Sequence, residues 1–183
     1  MQKWIALIAL AVFLTPAAFS QQDKSKRPSP PAQADCKLAD GKTIHIDYSS
    51  PRMRDPKTGQ VRKIFGGLVP YDQVWRTGAN EATTLVTTAD LTAGGTTIPA
   101  GTYTLFTLPS ASEWTLIISK ATGEWGIPYP GKDKDLARVG MEVVQRPSAQ
   151  ENFTINLDPK GTGCRLRLDW EMTEASVELA EKK

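Results

Sequence analysis

Wherever the apolar residues of this chain show a period, that period is two. In residues 42–49 the side chains of Ile44, Ile46 and Tyr48 alternate with polar ones. Such alternation is typical of a β-strand that buries one face. Alternation, or enrichment in β-branched and aromatic residues, predicts further strands at 82–88, 101–108, 114–119, 138–144, 153–157, 164–170 and 175–179. No window holds the i, i+3, i+4, i+7 apolar stripe of an amphipathic helix.

Glycine and proline residues separate the predicted strands. Asp40-Gly41 predicts a two-residue hairpin turn between Cys36–Ala39 and Lys42–Ser49. Other predicted turns are Gly94-Gly95, Pro99–Gly101, Pro147 and Pro159–Gly161, and the short helical candidates are Tyr71–Trp75 and Asp133–Ala137. We therefore predict an all-β chain that forms an antiparallel, jelly-roll-like β-sandwich of roughly eight to ten strands. A closed barrel is the architectural alternative.

The N-terminus has the organisation of an export signal. Lys3 precedes the apolar run Ile5–Leu14, and the small residues of Ala18–Ser20 follow a proline. The run is too short to cross a bilayer, so we predict a signal peptide at residues 1–20, a periplasmic or secreted product, and no membrane span after cleavage. Residues 21–34 are polar and proline-rich and are interpreted as a disordered linker. Residues 35–180 are then one β-sandwich domain.

The chain contains two cysteines, Cys36 and Cys164. An exported protein enters an oxidising compartment, and two cysteines allow one intramolecular pairing. Cys164 shares its strand register with Leu166 and Leu168, which places it on the predicted buried face. We predict a Cys36–Cys164 disulfide, whose long loop contributes roughly 4–5 kcal/mol in the chain-entropy model.

Residues 62–81 show neither the strand nor the helix period. Trp75, Arg76, Asn80 and Glu81 lie close together within this segment. Arginine offers a planar fork of donors for carboxylates or phosphates, asparagine both donates and accepts, and glutamate is an acceptor or a base. Loops that carry such groups on a rigid sheet are common binding positions. We predict a ligand-binding site formed by these four residues and by Arg52, which precedes another loop.

The motifs around this segment resemble the bacterial domain of unknown function 2911 family. The resemblance is carried by KIFGGLVPY and VWRTGANEAT (Lys63–Thr83), IPAGTYTLFTLP (Ile98–Pro109), EWTLIISK (Glu113–Lys120), DYSSPR (Asp47–Arg52) and Trp125-Gly126. It extends over most of the chain after the predicted linker. It implies an exported, β-rich, single-domain protein and no particular reaction.

Composition excludes several functional classes. The chain has 22 Lys and Arg against 20 Asp and Glu, and a net charge of +2 gives no strong field to attract nucleic acid. One histidine and two cysteines leave few ligands for a transition metal. Gly66-Gly67 lacks the spacing of a phosphate loop, and strand parity places His45 on an outward face beside Asp47. We predict no metal, no cofactor and no nucleic-acid partner, and we find no signal for an oligomeric state.

Three functions are compatible with the sequence, and a binding module for a small polar or anionic ligand, or for a carbohydrate, is favoured. The first alternative is a hydrolase or isomerase that uses Glu81 as acid or base and Arg76 to stabilise charge. Paired-carboxylate chemistry then requires a second carboxylate, from Asp47 or Asp72. The second alternative is a structural protein in which Arg76 and Glu81 form an internal ion pair. Aromatic residues in the 125–129 loop are expected to pack over a sandwich edge.

Overall fold

Nine strands build the part of the protein that the structure, a computed structural model, describes, residues 23–183. They are β1 Pro31–Lys37, β2 Thr43–Ser49, β3 Thr83–Thr87, β4 Leu91–Ala93, β5 Thr96–Ile98, β6 Gly101–Pro109, β7 Trp114–Ser119, β8 Asp135–Lys160 and β9 Gly163–Glu181. Two single turns of 3₁₀-helix, Lys24–Lys26 and Lys132–Lys134, are the only helical elements between residues 23 and 183. No helix of this described part is both long and apolar enough for a membrane crossing. The predicted signal peptide lies outside the described residues.

The strands form one antiparallel sheet in the order β1-β2-β3-β6-β7-β8-β9-β4-β5. Strands β8 and β9 are 26 and 19 residues long, and each runs through more than one section of the sheet. The first part of β8 pairs with β7, its remainder pairs with β9, and the end of β9 pairs with β4. The sheet therefore folds over on itself around a main core and is not closed into a barrel. A smaller apolar cluster is formed by Ala82, Phe106 and Ile117. The predicted all-β, single-domain sandwich is confirmed.

Irregularities in the β8–β9 pairing bend the hairpin. The register shifts between Gln145 and Gln150 and again before Thr154, and on the opposite strand Glu171 has a positive φ of 54°. Such bulges leave residues unpaired and bend a strand. Pro147 lies at this bend, where β8 is not paired with β9. The N–H that proline lacks would therefore not have formed an inter-strand hydrogen bond. The turn predicted at Pro147 is therefore wrong, because the chain continues as one bent strand.

The first hairpin is closed by a longer turn than predicted. The N–H of Leu38 still bonds to the carbonyl of Lys42 (2.8 Å), which leaves a three-residue loop. Its last residue, Gly41, has a φ of 92°, the conformation expected after a type I turn in a three-residue hairpin loop. The register explains the difference: Cys36 pairs with Ile44 and both are buried, whereas a two-residue Asp40-Gly41 loop would set Cys36 opposite the outward-facing His45.

The predicted linker is ordered from Pro31 onwards. Residues 31–34 belong to β1 and pair with residues 46–49 of β2. Proline is tolerated because β1 is an edge strand. The composition of residues 21–34 shows that the segment cannot form a core of its own. It does not show that the edge of β2 is free to pair with the end of this segment. The disordered-linker prediction is therefore wrong for this part of the segment.

The disulfide joins strands that are not neighbours in the sheet. Cys36 of β1 and Cys164 of β9 are bonded, with their Cα atoms 6.6 Å apart and a sequence separation of 128. Both residues are buried among the inward rows that alternation predicts, such as Ile44 and Ile46 in β2 and Leu166 in β9. The predicted pairing and the predicted burial of both cysteines are confirmed.

Candidate functional site

The motif segment forms irregular loops at one end of the sandwich. Residues 63–69 make a tight turn in which the N–H of Val69 bonds to the carbonyl of Ile64 (2.9 Å). A Cβ atom at Gly67 would collide with the carbonyl oxygen of Lys63, which explains why a glycine stands there. Ile64 and Phe65 are buried in the core, so the turn is anchored by apolar packing. The chain then returns along β6, where Trp75 and Thr107 form an isolated bridge.

Trp75 connects the motif loop to an aromatic cluster in the core. Its ring stacks on Trp170 with the centroids 5.9 Å apart and meets Phe153 edge-on at 4.9 Å. Its Nε1–H donates to the carbonyl of Gly78 (2.9 Å), which closes the loop between these residues. Aromatic pairs in such arrangements are stabilised beyond their burial of apolar area. Trp75 therefore holds the following arginine in position.

Arg76 is half-buried, and no carboxylate of the described residues pairs with it. Its Nη1 donates to the carbonyls of Asn80 and Trp125, the latter at 2.9 Å, and its guanidinium lies 5.5 Å from the centroid of the Trp125 ring. Burial lowers the pKa of the Arg76 guanidinium from its ordinary value. Within residues 23–183 no carboxylate oxygen lies within the 4.0 Å of an ion pair with Arg76. A partly desolvated cation without a counter-ion favours an anionic ligand.

Arg76 lies in the wall of a cavity of about 300 Å³. The lining consists of Ser29, Pro51, Arg62, Leu68, Val69, Trp75, Arg76, Gly78, Ala79, Asn80, Ile127 and Trp170. Its two charged residues are both arginines. Leu68 and Ile127 are apolar and expose 48% and 66% of their surface, so both add exposed apolar surface to the lining. The cavity thus combines positive charge, aromatic walls and exposed apolar residues.

Arg62, which was not among the predicted site residues, takes the place predicted for Arg52. The Nη2 of Arg62 donates to the carbonyl of Arg52 (2.6 Å), and its side chain reaches the cavity lining. The side chain of Arg52 is exposed and does not line the cavity. The two residues form part of adjacent extended segments, and only the fold determines which of them faces inwards.

Glu81 is bound to the N-terminal segment and not to Arg76. The Nη1 of Arg27 donates to both of its carboxylate oxygens (2.8 and 3.1 Å), and the Nζ of Lys24 lies 3.1 Å away. The pKa of Glu81 falls to about 2 because its own backbone N–H and then Arg27 and Lys24 stabilise the carboxylate. Asn80 donates from Nδ2 to the carbonyl of Ser29 (2.9 Å). The predicted internal Arg76–Glu81 ion pair is therefore wrong.

The two parts of the predicted site thus face different cavities. Trp75, Arg76 and Asn80 line the cavity described above, hereafter the arginine cavity. Glu81 lines a second cavity of about 310 Å³, hereafter the Glu81 cavity, whose other lining residues are Lys24, Arg27, Pro31, Ala32, Asp47, Tyr48, Ser49, Ala82 and Thr84. Residues 24–30 of the N-terminal segment contribute to both linings.

Two other predictions concern exposed polar and aromatic residues. His45 lies outward as predicted, and its ring nitrogens contact the carboxylates of Asp35 (2.6 Å) and Asp47 (3.0 Å). In the 125–129 loop, Tyr129 packs edge-on against Phe106 as expected, whereas Trp125 remains 53% exposed. Among the described residues, no group of three or more His, Cys, Asp or Glu could hold a metal ion.

The chain was compared with protein families, curated proteins and solved structures. No curated protein and no solved structure matches it. Residues 29–179 match the family described as "Protein of unknown function (DUF2911)". This range includes the whole sandwich except the end of β9, together with the loops that form the arginine cavity. Because the match covers most of the chain, the protein belongs to the DUF2911 family.

Proposed function

We propose that the protein is an exported binding module that holds a small anionic ligand with an apolar or aromatic body in the arginine cavity. The observation that carries the proposal is the charge of the lining: two arginines and no carboxylate. Anion binding by a guanidinium is strongest where water is partly excluded and no internal counter-ion competes.

The remaining lining residues support an apolar ligand body. Trp75, Trp170 and Val69 form walls that are continuous with the core. Leu68 and Ile127 expose apolar surface that a ligand would cover. Ligand sites generally combine such apolar walls with a few polar groups, and a volume of about 300 Å³ lies at the lower end of their range. A small ligand therefore fits better than a polymer.

The enzyme alternative receives less support from the geometry. Asp47 and Glu81 line the same cavity, as paired-carboxylate chemistry would require. However, Arg27 and Lys24 engage Glu81, while His45 and Gln33 engage Asp47. A general acid must be protonated near its working pH, and a pKa of about 2 keeps Glu81 ionised at neutral pH. Arg76 lines the other cavity, so it does not face this carboxylate pair.

Two matched fluorescent probes test the proposal. 8-Anilinonaphthalene-1-sulfonate carries a sulfonate on an aromatic body, and N-phenyl-1-naphthylamine has the same rings without the charge. We expect the wild-type protein to bind the sulfonate more tightly than the neutral probe. Arg76→Gln should weaken sulfonate binding by roughly tenfold, the effect of one charge-assisted hydrogen bond, and leave the neutral probe unaffected.

Arg52→Gln is the matched control, because it removes the same charge from an arginine that does not line the arginine cavity. It should leave both affinities unchanged. Equal binding of the two probes to the wild-type protein, or equal losses in Arg76→Gln and Arg52→Gln, would contradict the proposal. Melting temperatures of both variants establish that the fold is intact.

A carbohydrate is the second candidate ligand, and the exposed ring of Trp125 beside Arg76 favours it. Aromatic rings pack against sugar faces, and the arginine would select a sugar acid over a neutral sugar. Titration with glucuronate and with glucose, followed by tryptophan fluorescence, tests this candidate. Binding of glucuronate alone, lost in Arg76→Gln, is the expected result.

A further inference from the structure

Residues 24–30 form a strap that crosses the motif segment before β1 begins. Arg27 and Lys24 contact the carboxylate of Glu81, as described above. Further along the strap, the carbonyl of Ser29 accepts from the Nδ2 of Asn80, and the carbonyl of Pro30 accepts from the N–H of Ser50, both at 2.9 Å. The body of the protein therefore contacts two cationic side chains and two successive main-chain carbonyls of the strap.

These contacts have the form of peptide recognition. Arg27 has φ −68° and ψ 147°, the polyproline II conformation, and prolines follow it at positions 28, 30 and 31. Domains that bind extended peptides use hydrogen bonds to main-chain groups for affinity and a side-chain contact for specificity. Here Asn80 and Ser50 supply the hydrogen bonds, and Glu81 supplies the charge contact.

The surface beneath the strap is acidic. Lys24 and Arg27 are the only cations that line the Glu81 cavity, and both belong to the strap. The charged residues contributed by the body of the protein are Asp47 and Glu81. This surface therefore complements a basic segment, whereas the neighbouring arginine cavity complements an anion.

The strap is attached more weakly than the strand that follows it. The side chains of Lys24, Arg27 and Glu81 are 59%, 21% and 41% exposed, and ion pairs that reach solvent contribute little to stability and are screened by salt. By contrast, β1 is held by seven paired positions along β2 and by the disulfide at Cys36. The strap can therefore detach up to Pro31 without disturbing the sandwich.

We propose that the surface formed by Ser50, Asn80 and Glu81 is a binding site for extended basic peptide segments. The strap is its resident, displaceable occupant. An incoming segment places an arginine or lysine on Glu81 and two following carbonyls on Asn80 and Ser50. The charge contact of this surface lies in the Glu81 cavity, whereas Asn80 and Ser29 of the strap also line the arginine cavity, so the two sites are neighbours that share Asn80.

A labelled peptide with the sequence of residues 23–32 tests the proposal by fluorescence anisotropy. The full chain is used, with the strap weakened by Lys24→Gln and Arg27→Gln together. We expect this double variant to bind the peptide at least tenfold more tightly than the wild-type protein, in which the intact strap competes. Raising the salt concentration should weaken the binding.

Lys57→Gln with Lys132→Gln is the matched control, because it removes the same charge from exposed positions outside both cavities. It should bind the peptide as weakly as the wild-type protein. Adding Glu81→Gln to the strap variant should abolish binding, as should replacing all three basic residues of the peptide, at positions 24, 26 and 27, by glutamine. The peptide variant changes nothing in the protein, so it keeps the test valid if Glu81→Gln fails to fold.

No peptide binding to the strap variant at millimolar concentration, or binding that persists without the basic residues, would overturn the proposal. Hydrogen exchange of the Ser50 amide provides a direct second readout. It should accelerate in the strap variant and slow again when peptide is added. Sedimentation of the wild-type protein tests whether a second copy supplies the segment, because a dimer that requires Glu81 would show this.

Discussion

The indole of Trp75 stacks on that of Trp170, with the ring centroids 5.9 Å apart and the planes inclined by 22°. Trp75 belongs to the motif loop and Trp170 to the bend of β9, and both line the arginine cavity. The wall of the candidate site is thus also part of the hydrophobic core. Variants that test binding must therefore leave this stack in place, and variants that alter it should affect stability and binding together.

Trp75→Phe should keep an aromatic ring in the core but remove the hydrogen bond from Nε1 to Gly78. We expect a loss of about 1 kcal/mol in the free energy of unfolding from this bond, with a further loss from reduced packing. The loop that carries Arg76 should loosen, so sulfonate-probe affinity should fall as well. Urea unfolding and probe titration measure the two effects, and unchanged values in both would show that this bond does not hold the loop.

Gly126→Ala should displace Arg76. Gly126 has a φ of 87°, and a Cβ there would lie 2.8 Å from the Cβ of Arg76 and 2.9 Å from the Cβ of Ala82. Gly123→Ala is the control, since Gly123 has a similar φ of 72° but nothing within 4 Å. Both variants incur the cost of a left-handed residue, about 1–2 kcal/mol. Gly126→Ala should lose a further 1–3 kcal/mol or so from overpacking, as measured by urea unfolding.

The two glycine variants should also differ in their affinity for the sulfonate probe. Gly126→Ala should lower the affinity for the sulfonate probe, because the guanidinium moves with its Cβ. Gly123→Ala should retain wild-type affinity. Equal stability losses and equal affinities in the two variants would argue against tight packing between the 121–131 loop and Arg76.

Glu81→Gln should change how stability depends on pH. The pKa of Glu81 is lowered from 4.5 to about 2, so its stabilising contribution is present above pH 4.5 and is lost as the pH falls towards 2. Its side chain is 41% exposed, which limits the contribution to at most about 1 kcal/mol. Urea unfolding should show the variant less stable at pH 6 and equal to the wild type near pH 2. A difference that is constant with pH would exclude this origin.

The pKa of His45 should lie above its ordinary value, chiefly because of its hydrogen bond to Asp35 and secondarily because of Asp47. Since the folded pKa is raised, the associated stability is full below about pH 6.5 and is lost as the pH rises through the folded pKa. His45 is the single histidine, so its ring resonance can be titrated directly by NMR. Asp35→Asn should lower this pKa more than Asp47→Asn, and an unshifted value in the wild type would contradict the contact.

Replacing both Cys36 and Cys164 by alanine should lower the free energy of unfolding by about 2–5 kcal/mol. The disulfide closes a loop with a sequence separation of 128 and joins strands that do not pair with each other. Urea unfolding with and without reductant provides the control. Reductant should lower the free energy of unfolding of the wild type to a value close to that of the double variant, and it should leave the double variant unchanged. If reductant does not change the stability of wild-type protein that has been unfolded and refolded in its presence, the pairing is contradicted.

Much of the fold can be predicted from the sequence because strand formation leaves a local pattern. Alternation identifies β2 and the buried faces of β8 and β9, since a strand with one buried side must repeat every second residue. Strands β6 and β7 are buried on both faces along much of their length, and their β-branched and aromatic composition identifies them. Two cysteines permit one pairing, so the disulfide also follows. The three-residue strands β4 and β5 were not predicted, because three residues are too few to show a period.

The candidate site was predicted in part. Trp75, Arg76 and Asn80 are close together in the sequence, so one loop can bring their side chains together. The fold places all three in the lining of the arginine cavity. Arg62 and Arg52 lie in adjacent segments of similar composition, and no local pattern distinguishes them. Trp170 ends the strand predicted at 164–170, but its place in the cavity depends on the bend in β9.

The sequence alone determined the strands, their buried faces and the identity of the disulfide, because these depend on residue type and local spacing. The tertiary structure decided the partners of the charged groups. Arg76 lies five positions before Glu81 in the chain, yet Glu81 binds Arg27, 54 residues away, and Arg76 has no carboxylate partner among the described residues. The physical reason is that ion pairing depends on distance and desolvation in the assembled fold, and neither is encoded by proximity along the chain.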